Sequence, residues 1–300
     1  MMRFREMSNS RLQGFAIPAS SLFLVLLLAA CGSKPALPPL QKQITALGEA
    51  GHKAYARGDL AGARRDFERA LNVAQGGDDA DGIAMNRLNL ARVAQARGDS
   101  AQAHRELDYV LDPLAAPPMG NSWRADAAAR KAILLLDADN VEAAGTLVTQ
   151  AQSWCNKSCP AAATVANLQA RIALAARHYE QALAFSAQGL ALAQQAKNTP
   201  EEANAHRVAG QARLGKGESA LAVSAFTQAL EADKLSGRPE RIYADLMLLG
   251  ETSARLGRAA TASEYFRRAA QVASAENMTA HAAQANKRAE YPASNATNVK

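Results

Sequence analysis

Aromatic side chains are scarce: phenylalanine, tyrosine and tryptophan make up 5% of the 300 residues. A chain this poor in large rings cannot build a thick aromatic core or ring a ligand cavity with aromatics. Histidine is thin as well. His52, His104, His178, His206 and His281 are scattered, with no second ligand at helical spacing, so neither a metal site nor a serine–histidine–acid cluster can be read from them. No segment alternates with a period of two over a useful length, which argues against a sheet. The longest apolar stretch, Gly14 to Ala30, is 17 residues and is interrupted by Pro18, Ser20 and Ser21. A spanning helix needs about 20 apolar residues, so a permanent transmembrane anchor is the weaker reading. The net charge of +6 is spread without a basic block of the kind that grips nucleic acid. What the chain has in excess is alanine, close to a quarter of all residues. Alanine favours helix and lets helices approach closely through small faces.

The first thirty residues read as an address. Arg3, Arg5 and Arg11 give a positive start, and an apolar run follows from Ser21 to Ala30. Leu28-Ala29-Ala30-Cys31 resembles the lipobox of bacterial lipoproteins. That resemblance implies removal of residues 1–30 and acylation of Cys31, which holds the protein on a bilayer almost permanently. An uncleaved or conventionally cleaved signal is the alternative. Gly32 follows the cysteine where an aspartate would retain an enteric lipoprotein on the inner membrane, so the expected address is the periplasmic face of the outer membrane. The Gly32–Leu40 stretch carries Pro35, Pro38 and Pro39 and reads as extended polyproline II, part of a tether over 31–42. The mature charge of +4 leaves either a weak preference for acidic partners or merely a solvated mixed surface.

Acylation of Cys31 leaves an even pair, Cys155 and Cys159, in an oxidising compartment. Residues four apart on a regular helix have Cβ atoms ~5–6 Å apart, too far for a disulfide. A bridge therefore belongs where a helix ends and a turn begins, pinning one inter-helix connection. Free thiols and a metal or redox site are the alternatives, and no histidine lies nearby to serve the latter.

The body repeats about every forty residues. Aligned on one turn position, the copies read Asp59, Asp99, Asn140, His178, Glu218 and Arg258. Four residues later every copy has alanine: Ala63, Ala103, Ala144, Ala182, Ala222 and Ala262. Eight residues before the turn stand Gly51, Ala91, Ala132, Ala170, Gly210 and Gly250, and eight after it Phe67, Leu107, Val148, Ser186, Phe226 and Phe266. Eleven after it the residues are again mostly small, with Gly189 in the fourth copy. Thr199-Pro200-Glu201-Glu202 reads as a helix start with Thr199 as cap, and Pro113, Pro117, Pro118 and Gly120 separate two copies. This pattern resembles the tetratricopeptide repeat (TPR) family over residues 43–275. It is strongest in copies one, five and six, and weakest in three and four. The resemblance implies an all-α fold, a right-handed α-solenoid of about six TPR-like hairpins. Each hairpin needs its neighbours to hide its apolar face. Residues 276–290 read as a capping helix, with alanines inward and Gln284, Lys287 and Arg288 outward, and 291–300 as a flexible tail.

The search for chemistry yields little. Gly210–Gly217 (GQARLGKG) resembles a P-loop, but Gly217 stands where serine or threonine holds magnesium, the flanks are helical, and the periplasm lacks ATP. Glu201 and Glu202 fit helix capping better than acid–base work. Trp123 and Trp154 read as packing residues or, alternatively, as a partner-facing anchor. The expectation is a chain with no catalytic residue, cofactor, metal, nucleotide or nucleic acid.

Function is expected in the groove that stacked hairpins form, lined by the first helix of each pair. Carrying the TPR pattern over places His52, Asn89, Arg92, Asn167, Arg171, Arg207, Gln211 and Glu251 on or near that face. Asparagine and glutamine can bond an extended backbone and arginine can pair with carboxylates, which suggests an acidic or C-terminal peptide segment as ligand. The alternative is that these are solvated groove residues. The overall expectation is a lipid-anchored protein-interaction scaffold, an accessory or assembly factor for an envelope complex. The alternative is a cell-wall-active enzyme or its direct regulator, with the repeats as scaffold; against an enzyme, no uncommitted segment is long enough for a catalytic domain.

Overall fold

The computed structural model describes residues 38–155 and 159–290. The expected signal peptide, the Cys31 attachment site, the tether as far as residue 37, the loop 156–158 and the tail 291–300 lie outside the described residues. Those described form thirteen α-helices and no strand. They pair as α1 (Pro39–Ala56) with α2 (Leu60–Gly76), α3 (Ala80–Ala96) with α4 (Ser100–Leu111), and α5 (Asn121–Asp137) with α6 (Val141–Trp154). Next come α7 (Ala162–Ala175) with α8 (Tyr179–Ala196), α9 (Thr199–Gly215) with α10 (Ser219–Leu235), and α11 (Pro239–Arg255) with α12 (Ala259–Ala275). The last helix, α13 (Thr279–Glu290), packs on α12 and closes the stack. The result is a right-handed all-α solenoid of six hairpins with a C-terminal capping helix.

The six aligned turn residues are the N-caps of the six second helices. Asp59, Asp99 and Asn140 accept backbone N–H bonds from Gly62, Gln102 and Ala143 at 2.7, 2.9 and 3.3 Å. That satisfies one of the donors every helix start leaves unpaired. The residue before each cap reverses the chain in left-handed backbone. Glycine does this at Gly58, Gly98, Gly217 and Gly257, whereas copies three and four use Asp139 (φ 60°) and Arg177 (φ 58°). A long side chain in that region is disfavoured by about 1–2 kcal/mol, so the fourth turn carries strain that the glycine turns avoid.

Two boundaries differ from the sequence reading. The chain is helical from Pro39 rather than extended to Leu40. Pro38 keeps φ −51° and ψ 148° as N-cap, and Pro39 enters the first turn, where its missing N–H has no helical partner to lose. The cap of α9 is Asn198, not Thr199; its side chain accepts the Glu201 N–H at 3.3 Å.

The repeat columns are the core. All six aligned alanines from Ala63 to Ala262 are fully buried, as are Phe67, Phe226 and Phe266. Each ring packs against the glycine of its partner helix. A Cβ placed on Gly51, Gly210 or Gly250 would meet the ring at 2.6, 2.4 or 2.5 Å, closer than carbon atoms approach. The glycines therefore set the inter-helix distance in copies one, five and six. In copy four Ser186 is buried where a ring would sit, and a Cβ on Gly189 would overlap Asn167 Oδ1. There α8 is brought up against α7 by small residues instead. The hydrophobic core accordingly falls into separate clusters and is thinnest around Ala173, Ala182 and Ala212.

At the C-terminal end Ala282 and Ala285 of α13 face inward. Two of the residues expected to point outward have partners. Gln284 accepts a bond from the Tyr243 hydroxyl at 3.1 Å, and Arg288 pairs with Glu251 at 3.2 Å. Cys155 caps the C-terminus of α6 and is bonded to Cys159, with Cα atoms 5.3 Å apart. Trp123 is half-buried and its indole N–H donates to Asp81 at 2.7 Å. Half-buried Trp154 lies under the Arg124 guanidinium at 4.2 Å.

Candidate functional site

First helices of consecutive hairpins touch one another from α1 through α9, whereas second helices do not do so to a comparable extent. The stack is tighter on the first-helix side, and that side is the concave face. Its polar residues divide into two regions.

Near the N-terminal end, Arg92 Nη2 lies 3.0 Å from His52 Nδ1 and its guanidinium stacks over the Tyr55 ring at 4.3 Å. His52 is held below its ordinary pKa first by burial and then by the Arg92 charge, so a neutral imidazole accepts from the guanidinium. Asn89, half-buried three residues before Arg92, has its Nδ2 shielded without a hydrogen-bond partner among the described residues.

The second region is a pocket of about 210 Å³ between α5, α7, α9 and α11. It gathers four of the expected residues, Asn167, Arg171, Arg207 and Gln211, together with Arg241, which the sequence reading passed over. Their states differ. Arg171 holds Asp137 at 3.1 Å in a half-exposed pair, an arrangement worth little and easily exchanged. Gln211 is half-buried and makes no side-chain hydrogen bond with a described residue.

Two of the four are not available to a ligand. Asn167 is buried, and its Nδ2 donates to the Glu201 carbonyl at 2.9 Å and to Glu201 Oε2 at 2.7 Å. Arg207 is buried too. Its Nε and Nη2 bind Asp245 at 2.7 and 3.2 Å, its Nη1 binds Asn204 Oδ1 at 2.9 Å, and its Nη2 also binds Asp233. Asp233 and Asp245 are fully buried, so Arg207 serves as a clamp joining α9, α10 and α11. The expectation that it meets a peptide is corrected: two internal carboxylates have already claimed the guanidinium.

Arg241, the residue missed, is the opposite case. Its side chain makes no hydrogen bond or ion pair with any described residue. Its pKa is pulled below the ordinary arginine value first by burial, then by repulsion from Arg207 and Arg238, with partial relief from Asp233. Arg241 is exposed, so its guanidinium, repelled by its like-charged neighbours, is open to an incoming anion.

The P-loop-like string is helical as far as Gly215, and Gly210 is pressed on Phe226. No strand precedes it among the described residues, so it forms no phosphate cradle. Among the described residues no three His, Cys, Asp or Glu side chains group to hold a metal, and no helix is long and apolar enough to cross a membrane.

No protein-family model and no curated protein matches the chain. Solved structures do. A chain of the Cut9–Hcn1 hetero-tetramer of the APC/C superimposes with a TM-score of 0.63 at 13% identity, covering 90% of this chain and 45% of that one. The STAND protein with a tetratricopeptide repeat sensor from Pyrococcus horikoshii gives 0.57 at 16% identity, covering 90% and 39%. The fold is the TPR solenoid. PilW, described as a widely conserved type IV pilus biogenesis factor, gives 0.54 at 15% identity, covering 80% of this chain and 97% of its own. The chain thus spans under half the length of the first two and nearly the whole of PilW.

Proposed function

We propose that the chain is a lipid-anchored periplasmic scaffold of the outer membrane that receives an acidic or C-terminal segment of a partner protein in its concave groove, as an accessory or assembly factor for an envelope complex. The observation that carries the binding half is the pocket at Arg171 and Arg241. There one cation has no direct partner, the other holds a weak exposed one, and Gln211 offers amide groups to a peptide backbone. Inward-facing first helices on a rigid repeat frame suit an extended or helical segment laid across several copies. The anchoring half rests on the leader Arg3–Ala30 and on Leu28-Ala29-Ala30-Cys31. The likeness to a pilus biogenesis factor accords with an envelope role.

Each half has its own test. A photo-crosslinking residue at position 211 in intact cells should give a discrete protein adduct. The same probe at exposed Leu235, on the second-helix side, should not. The Arg171→Ala, Arg241→Ala double variant should weaken the captured partner's binding by about ten-fold or more, as loss of charged contacts does. Equal adducts from both positions, or unchanged affinity in the double variant, would discard the groove. For the anchor, globomycin treatment should accumulate a precursor, and Cys31→Ser should release the protein from the membrane fraction. Cleavage and membrane retention that ignore both treatments would remove the lipoprotein reading.

A further inference from the structure

Away from the concave pocket, α8, α9 and α10 enclose a second cavity of about 280 Å³. Its wall is apolar, formed by Leu183, Leu190, Ala205, Ala209 and Ala225. The repeat register explains the space. Copies one, five and six place phenylalanine eight residues after the N-cap, but here that position is Ser186, and Gly189 lies against Asn167. Ser186 itself lines the cavity, and with no ring at this position the space between α8, α9 and α10 is left underfilled.

The polar lining residues are buried Ser186, exposed Ser224 and Gln228, and two half-buried residues of α9, His206 and Arg213. His206 is held below its ordinary pKa by burial, against the pull of Glu202, and is neutral at ordinary pH. The Arg213 side chain makes no hydrogen bond or ion pair with any described residue. An apolar wall with one unpaired cation at its edge is complementary to an amphiphile with a single negative head.

We propose that this cavity binds a medium-chain alkyl carboxylate, with the chain against Leu183, Leu190 and Ala209 and the carboxylate at Arg213. A cavity of about 280 Å³ is of a size for the eight-carbon chain of octanoate, with its two carboxylate oxygens at Arg213, and too small for a two-chain lipid. The site is independent of the groove and of whatever peptide the groove receives.

Titration with octanoate, followed by the methyl NMR signals of Leu183 and Leu190, tests the assignment. Octanoate should shift both signals saturably, with a dissociation constant of about millimolar order for a ligand this small. Arg213→Gln should weaken octanoate about five-fold, the scale of one half-exposed charge contact, and leave 1-octanol unaffected. Ala187→Phe, which fills the cavity from its exposed edge, should abolish the shifts while the circular dichroism spectrum is retained. Absence of saturable shifts with octanoate overturns the proposal, as does equal octanoate affinity in the parent and Arg213→Gln. Crosslinking from position 211 reads the groove separately, so either site can fail without the other.

Discussion

Phe226→Ala is expected to destabilise the protein by about 3–5 kcal/mol, whereas Ser186→Ala at the same register position in the fourth copy should change stability by less than about 1 kcal/mol. The Phe226 ring is fully buried and packs on Gly210, whose backbone leaves no room for even a methyl group while the ring is present. Removing the ring opens a cavity between two rigid helices that cannot close it, and a solenoid has no distant contacts to compensate. The loss should be local: hydrogen exchange should rise first in α9 through α13, while α1 to α4 keep their protection. Gly210→Ala attacks the same contact from the other side and should destabilise the parent but cost less in the Phe226→Ala background, where the methyl enters vacated space. Urea unfolding of the four variants closes that cycle. Additive effects would mean that ring and glycine do not set each other's distance.

The repeat was legible because a solenoid makes its important contacts between neighbours in sequence. Six caps, six buried alanines and three ring–glycine pairs all fall where one forty-residue period puts them. The groove was only half legible, and the reason lies in two columns of the same register. The residue just after the small position, from His52 through Arg92, Arg171 and Gln211 to Glu251, is open or half-open in every copy. The residue three before the small position reads Gly48, Leu88, Ala129, Asn167, Arg207 and Met247, and it is buried in every copy. Asn167 and Arg207 therefore belong to an interior column. The leucine, alanine and methionine that share it are the signal that could have said so. Arg241 escaped notice because its column carries Lys42, Gly82, Trp123, Ala161 and Glu201 and shows no common chemistry. Asp233 and Asp245 lie 26 and 38 residues from Arg207, and nothing in the repeat links the three until the helices stack.

That stacked trio carries the other large expected effect. Arg207→Met, which keeps much of the side-chain volume, should destabilise the protein by about 3–5 kcal/mol near neutral pH, because two buried carboxylates lose their shared cation. Binding to the groove should fall only as far as folding does, which separates a clamp from a ligand contact. The pH dependence identifies the group responsible. Burial, with Asp233 adding to it against the pull of Arg207, pushes the Asp245 carboxyl up to about 6. That is above the value of ~3.9 expected in the unfolded chain. The folded protein then keeps a proton that the unfolded chain releases, so stability falls as pH rises through the window from about 4 to 6 and is regained on acidification. Asp245→Asn removes this titration while leaving Arg207 paired with Asp233. Relative to the parent, the variant should gain stability as pH rises from about 4 to 6 and hold that gain at pH 8, by something on the order of 1–3 kcal/mol. Taking the difference between the two proteins at each pH cancels His206, whose lowered pKa acts in the opposite sense: its stability is lost as pH falls below the unfolded histidine value. A parent-minus-variant difference that stays flat from about pH 4 to 6 would show Asp245 ionised throughout that window.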